Sequence, residues 1–252
     1  MLKLFKSIVS NKGDISLQDT MPLSSPRTAD MEMTDYTLPG QKAPRTFPGL
    51  LVSFLRKRYR QLRPLMDYGI SFTALLIASP IFSVVGIIIK ITSSGPVFYT
   101  QKRVGKDGRL FKMIKFRTMH ANAETQTGPV WAKRDDARIT SLGKFLRKTH
   151  IDELPQLINV LKGDMSIVGP RPERPFFADK FKDEIHGYTR RLSVKPGITG
   201  LAQCCQKYDE TIRDVERKLR YDVLYIKKVC WLLDMRILWR TMNISLLGAK
   251  SS

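Results

Sequence analysis

The sequence is short of cysteine, histidine and acid. Its three cysteines, Cys204, Cys205 and Cys230, form no CxxC pair, and adjacent cysteines rarely make a relaxed bridge. That excludes a disulfide scaffold and points to a reducing cytosol with structural thiols. The three histidines, His120, His150 and His186, show no zinc-ligand spacing. There is no Walker loop and no GxGxxG, so neither common phosphate cradle is present. No internal repeat occurs. The opening MLKLFKSIVSNKGD lacks the apolar stretch of about 7–15 residues that a signal peptide needs and reads as a frayed terminus.

What the chain has in excess is positive charge. Its 252 residues carry 43 Lys+Arg against 23 Asp+Glu, a net +20. Such a balance attracts anions: nucleic acid, anionic lipid or phosphorylated small molecules. The excess is uneven. Residues 1–48 hold six basic and five acidic residues, without periodicity, and read as a disordered or loosely attached extension. RKRYRQLR (56–63) then brings five basic residues, and the 22-residue uncharged run YGISFTALLIASPIFSVVGIII (68–89) follows. A bilayer crossing takes about 20 residues. A soluble nucleic-acid domain has no use for such a run, so the expected partners exclude nucleic acid.

Both flanks of the run are basic, and basic flanks favour the cytoplasmic side. A single crossing satisfies that preference at one end only, whereas a helix that enters and turns back satisfies it at both. Ser79-Pro80 lies mid-run, where proline removes a backbone hydrogen bond and the serine hydroxyl can bond a carbonyl of the preceding turn. A proline-kinked spanning helix and a buried core helix fit the same residues. Beyond the run, residues 95–119 give two β-rich stretches around Asp107-Gly108, a hairpin signal. Residues 120–136 read as a loop. Apolar spacing from Ser141 to Leu161 predicts helix with a break near His150–Asp152, with Asp152 as N-cap. KPGITG (195–200) reads as a glycine-bearing loop. From about Glu210 the spacing is helical again. Trp231 and Trp239 beside Arg236 and Arg240 suit a headgroup-level surface, as they suit an ordinary amphipathic helix.

The chemistry concentrates in THIDELPQLINVLKGDMSIVGPRP (149–172). Acids at a helix start suit its dipole, which by itself accounts for the pair. An ionised Asp152 there can also attack phosphorus, and Glu153 can hold Mg²⁺ with substrate phosphates. Prolines on both sides of Arg171 present its guanidinium with little freedom, and that fork matches phosphate. Lys115, Arg117, Arg147 and Lys195 are further candidates for phosphate.

A dense series of motifs carries a resemblance: SP at 79–80, GPVFYTQKRVG at 95–105, FKMIKFRTM at 111–119, DARIT at 136–140, DELPQLINVLKGDMSIVGPRPERP at 152–175, KPGITGLAQ at 195–203 and YDVLYIKK at 221–228. From about Arg63 to Leu247 the chain resembles the bacterial sugar transferases, monotopic polyprenyl-phosphate phosphoglycosyl transferases. The resemblance implies that Asp152 attacks the β-phosphate of a UDP-sugar and UMP leaves. Polyprenyl (undecaprenyl) phosphate then takes the phosphosugar from the aspartate. It implies Mg²⁺ on Glu153, substrate contact from Arg171, and a re-entrant helix broken at Ser79-Pro80. It departs at RPLMD (63–67), where Pro64 replaces a basic residue, and at CCQK, where Lys207 takes the position of an arginine.

The expected fold is α+β and mostly helical: a re-entrant membrane helix, amphipathic interfacial helices and a small β-hairpin around a cytosolic catalytic domain. Residues 1–48 are the extension, 49–92 the basic stretch and membrane helix, 93–252 the catalytic domain. The expected location is the cytoplasmic face of a bacterial inner membrane, against anionic lipid, and a homodimer is compatible with it. The competing class is a non-enzymatic, basic membrane-surface module with the acids as helix caps.

Overall fold

The computed structural model describes residues 47–120, 136, 138–206 and 211–247, with side chains from residue 53 to residue 244. The loop expected at 120–136 and the extension at 1–48 lie almost wholly outside these residues. The chain divides into Met1–Leu55 with Ser252, and a compact unit, Arg56–Ser251. The first contributes only the start of α1 to the described residues.

Helix α1 runs from Phe47 to Thr92 without interruption and contains Pro64 and Pro80. Pro80 has no N–H to give the carbonyl of Leu76, one turn back. The Ser79 hydroxyl donates to that carbonyl at 2.8 Å. The serine thus repairs the bond the proline removes, and the break expected at Ser79-Pro80 is not seen: the helix continues through the dipeptide. The apolar window within 53–92 is only 17% buried, so a core helix of a soluble fold is excluded. Leu65, Ile77 and Ile91 are each more than 70% exposed. The helix is long and apolar enough to cross a membrane.

Both flanks of that window contact the compact unit. On the N-terminal side, Tyr59 donates to Asp234, Arg63 pairs with Asp234 and donates to the carbonyl of Val168, and Asp67 accepts from Ser166. On the C-terminal side, Val85 and Ile89 are buried in a cluster with Phe116 and Leu146. Arg117 closes the end of α1, donating to the carbonyls of Ser93 and Ser94.

Strands β1 (Phe98–Val104) and β2 (Leu110–Phe116) form the expected antiparallel hairpin. Asp107 and Gly108 both take positive φ, 55° and 78°, as a tight primed turn requires. Helix α2 (Ser141–Lys148) is capped by Thr140, whose hydroxyl accepts from the Gly143 N–H. His150 then turns left-handed at φ 57°, and the chain re-enters helix through the 3₁₀ turn Ile151–Glu153 and α3 (Gln156–Leu161). The break is where the spacing predicts it. The cap is not: Asp152 lies inside the 3₁₀ turn, and the cap position belongs to His150.

KPGITG is not the expected loop. β4 (Gly197–Thr199) pairs in parallel with β3 (Ser166–Val168). The approach is so close that a Cβ on Gly197 would collide with Gly169. Hydrophobic spacing does not register two three-residue strands joined mainly by backbone. Helices α4 (Pro175–Glu184), α5 (Leu201–Cys205), α6 (Ile212–Lys228) and α7 (Trp231–Leu247) complete the described chain. Val160, Met165, Val168, Leu201, Tyr225 and Ile237 share one core between α3, β3 and the last helices. The architecture is α+β and mostly helical. Trp231 and Trp239 are 44% and 64% exposed.

Candidate active site

Three elements bring the acidic pair to its cations. The left-handed His150 and the 3₁₀ turn present Asp152 and Glu153. Strand β2 supplies Lys115, and the turn after β3 supplies Arg171. Asn159 fixes α3 to β2: its amide donates to the Lys112 carbonyl at 2.8 Å and accepts from the Ile114 N–H at 3.0 Å.

The two carboxylates differ in kind. Glu153 is fully paired. Lys115 Nζ donates to its Oε1 at 2.8 Å, and Arg171 engages both oxygens, with Nη1 3.1 Å from Oε2. Burial alone would raise the Glu153 pKa, but Arg171 and Lys115 outweigh it and hold the group well below the usual carboxylate range. Asp152 is 6% exposed, and among the described residues no hydrogen bond or ion pair reaches its carboxylate. Burial, then the charge of Glu153, pushes its pKa up, opposed by Lys115, Arg147 and Arg171. One acid is thus a permanent anion neutralised by two cations. The other is a buried carboxylate with a raised pKa and no hydrogen-bond or ion-pair partner among the described residues.

The remaining candidates divide. Lys115 and Arg171 are at the pair. Arg147 lies close enough to favour the Asp152 anion, and its Nε donates to Thr118 at 2.9 Å. Arg117 is spent on the end of α1. Lys195 Nζ lies beside Gly163. Lys207 is outside the described residues.

Residues that sequence reasoning missed hold the Pro-Arg-Pro turn. Four successive carbonyls each accept a hydrogen bond: Pro170 from Gly197 N–H, Arg171 from Arg191, Pro172 from Arg103 and Glu173 from Val104 N–H. Arg191 is 4% exposed and pairs with Asp222 at 2.8 Å, while Lys218 pairs with Glu173. One signal was available. Asp222 falls on the apolar stripe of α6 with Val215 and Leu219, and a charge on a buried stripe needs a partner.

Among the described residues there is no group of three or more His, Cys, Asp or Glu able to hold a metal. Mg²⁺ more often takes one or two carboxylates plus substrate phosphates. The donor chemistry fits that mode, since Glu153 stays ionised. Its oxygens already accept from Lys115 and Arg171, so an ion would share or displace those contacts.

A buried free carboxylate lies beside a charge-paired one, near Lys115, Arg147 and Arg171, in a chain that carries a long exposed apolar helix. The family model described as bacterial sugar transferase matches residues 58–248, and the chain belongs to that family. A Bacillus subtilis relative is 52% identical over 135 residues, covering 54% of this chain and 75% of its own. The UDP-N-acetylgalactosamine-undecaprenyl-phosphate N-acetylgalactosaminephosphotransferase of Aeromonas hydrophila is 45% identical over 184 residues, 71% of this chain and 43% of its own. The UDP-glucose:undecaprenyl-phosphate glucose-1-phosphate transferase of Klebsiella pneumoniae is 42% identical over 179 residues, 70% of this chain and 38% of its own. The chain therefore spans less than half the length of the last two.

Proposed function

We propose that this protein transfers a phosphosugar from a UDP-sugar to undecaprenyl phosphate, releasing UMP and starting a surface polysaccharide or related glycan. The observation that carries this reading is the pairing of a free, buried Asp152 with a neutralised Glu153. An Asp152 oxygen attacks the β-phosphorus of the donor. The bond from that phosphorus to the bridging oxygen breaks, and UMP leaves with the electron pair. An oxygen of the lipid phosphate then attacks the same phosphorus, the bond to Asp152 breaks, and the carboxylate is restored. The lipid product is a diphosphate-linked sugar. Arg171, Lys115 and Arg147 offer positive charge to the phosphoryl oxygens.

Mg²⁺ is proposed on Glu153 together with donor phosphate oxygens. When bound it lowers the repulsion between Asp152 and the diphosphate. Because Glu153 is paired in the free protein, Mg²⁺ binding should be weak without donor and tighter with it.

The apolar helix is proposed to enter the cytoplasmic leaflet and return. The support is that Arg63 and Asp67 on one side, and Val85 and Ile89 on the other, contact one compact unit. A crossing segment would divide those contacts between two faces of the membrane. Exposed Trp231 and Trp239 and the net charge of +20 support an anionic lipid surface.

The test is UMP release from a panel of UDP-sugars with undecaprenyl phosphate and Mg²⁺, wild type beside Asp152→Asn. Release with at least one sugar, abolished in the variant, is expected. Equal release by a folded Asp152→Asn protein contradicts the assignment.

A further inference from the structure

Arg171 is held at two levels. Its guanidinium meets Glu153, and its backbone is fixed from behind. Prolines at 170 and 172 restrict the turn, but they leave its orientation toward Glu153 open. The carbonyl bonds supply that orientation, and two of the four donors are arginine side chains.

Arg191 is the buried member of the two. Nε donates to Asp222 at 2.9 Å, Nη1 to the Tyr188 hydroxyl at 2.9 Å, and Nη2 to the Arg171 carbonyl at 2.8 Å. Each nitrogen therefore has a partner, and the same side chain lies 3.6 Å from Glu173. Burying a guanidinium costs several kcal/mol of desolvation. An apolar contact would join α6 to the core without that cost. What it would lack is a donor aimed at one carbonyl, and that carbonyl belongs to the arginine that engages the reactive pair.

Resting on the transferase reading above, we propose that Arg191, fixed by Asp222, is a positioning residue for Arg171. It acts through the Arg171 carbonyl and sets where the Arg171 guanidinium meets the donor diphosphate. Arg103 has the same function one residue on, at the Pro172 carbonyl, where its Nη1 donates at 3.1 Å. Lysine at 191 retains the charge but lacks the fork, so it cannot hold Asp222 and the carbonyl together.

The experiment is a double-mutant cycle between Arg191→Lys and Arg171→Lys, read as KM and kcat for UMP release from whichever donor the wild type accepts. UDP-N-acetylgalactosamine and UDP-glucose are the first two to try. Each single variant should lower kcat/KM by about 10- to 100-fold, mainly through the donor KM, with thermal melting recorded in parallel. The double variant should match Arg171→Lys alone, because Arg191 acts only through Arg171. Multiplying losses, or an unchanged donor KM in folded Arg191→Lys, overturn the proposal. If Arg191→Lys does not fold, Arg103→Gln takes its position in the cycle with the same expectation, since Arg103 is only part-buried. Absence of UMP release by the wild type would instead remove the underlying transferase reading.

Discussion

At the scale of the residue, the site turns on a difference between neighbours. Asp152 carries a raised pKa because it is buried beside Glu153. A group with a raised folded pKa costs stability once ionised, so the cost is absent at low pH and present at neutral pH. Asp152→Asn should therefore melt no lower than wild type in neutral buffer while losing turnover. A lower melting temperature would mean that the carboxylate is structural. The acid limb of the pH–rate profile should lie above the ordinary aspartate range, near 4. Lys115→Met removes a cation that opposes the rise and should move that limb upward; a downward shift would contradict the electrostatic account. Glu173 behaves oppositely. Burial would raise it, but Lys218, Arg191 and Arg103 bring it down to about 2. Its contribution to stability is present above the unfolded pKa and is lost as pH falls toward 2. The sequence singled out Asp152, Glu153, Arg171 and Lys115, because acids and rigid arginines advertise themselves locally, and the structure brings the four side chains together. It did not show that Arg117 bonds Ser93 and Ser94, since nothing local says where a basic residue after a strand will turn.

At the scale of the element, α3 and β2 must keep one register for Lys115 to reach Glu153. Asn159 sets it through two backbone bonds. Asn159→Leu leaves a carbonyl and an N–H of β2 without that partner and should cost on the order of 2–4 kcal/mol, measured by denaturant unfolding in detergent. A loss below about 0.5 kcal/mol would mean the register has another source. The hairpin and the break after α2 were legible, because Asp-Gly turns and interrupted apolar spacing are local. The β3–β4 pair was not legible: its strands are three residues each and are matched by close glycine backbones across 30 residues of chain. The Asp152 cap failed for a related reason. A left-handed histidine is a tertiary choice that cap preferences do not contain.

At the scale of the whole molecule, an apolar helix packs at both flanks against the rest of one compact unit. Ser79 compensates Pro80 within it, so the dipeptide expected to break the helix leaves it continuous. Single cysteines introduced near residues 58 and 94, on a background lacking Cys204, Cys205 and Cys230, should both be shielded from a membrane-impermeant reagent in intact cells. Labelling at one of them would mean the helix crosses. The sugar is a whole-site property that no motif spells out: the Aeromonas and Klebsiella relatives carry different sugars in their names.

The measurement that tests the central claim most directly is the intact mass of the protein, acid-quenched after brief mixing with a UDP-sugar donor in the absence of lipid phosphate. A mass increase of one phosphosugar, absent in Asp152→Asn and discharged by undecaprenyl phosphate, is the predicted result. Turnover with no adduct in quenched wild type, or an adduct retained in Asp152→Asn, would contradict attack by Asp152.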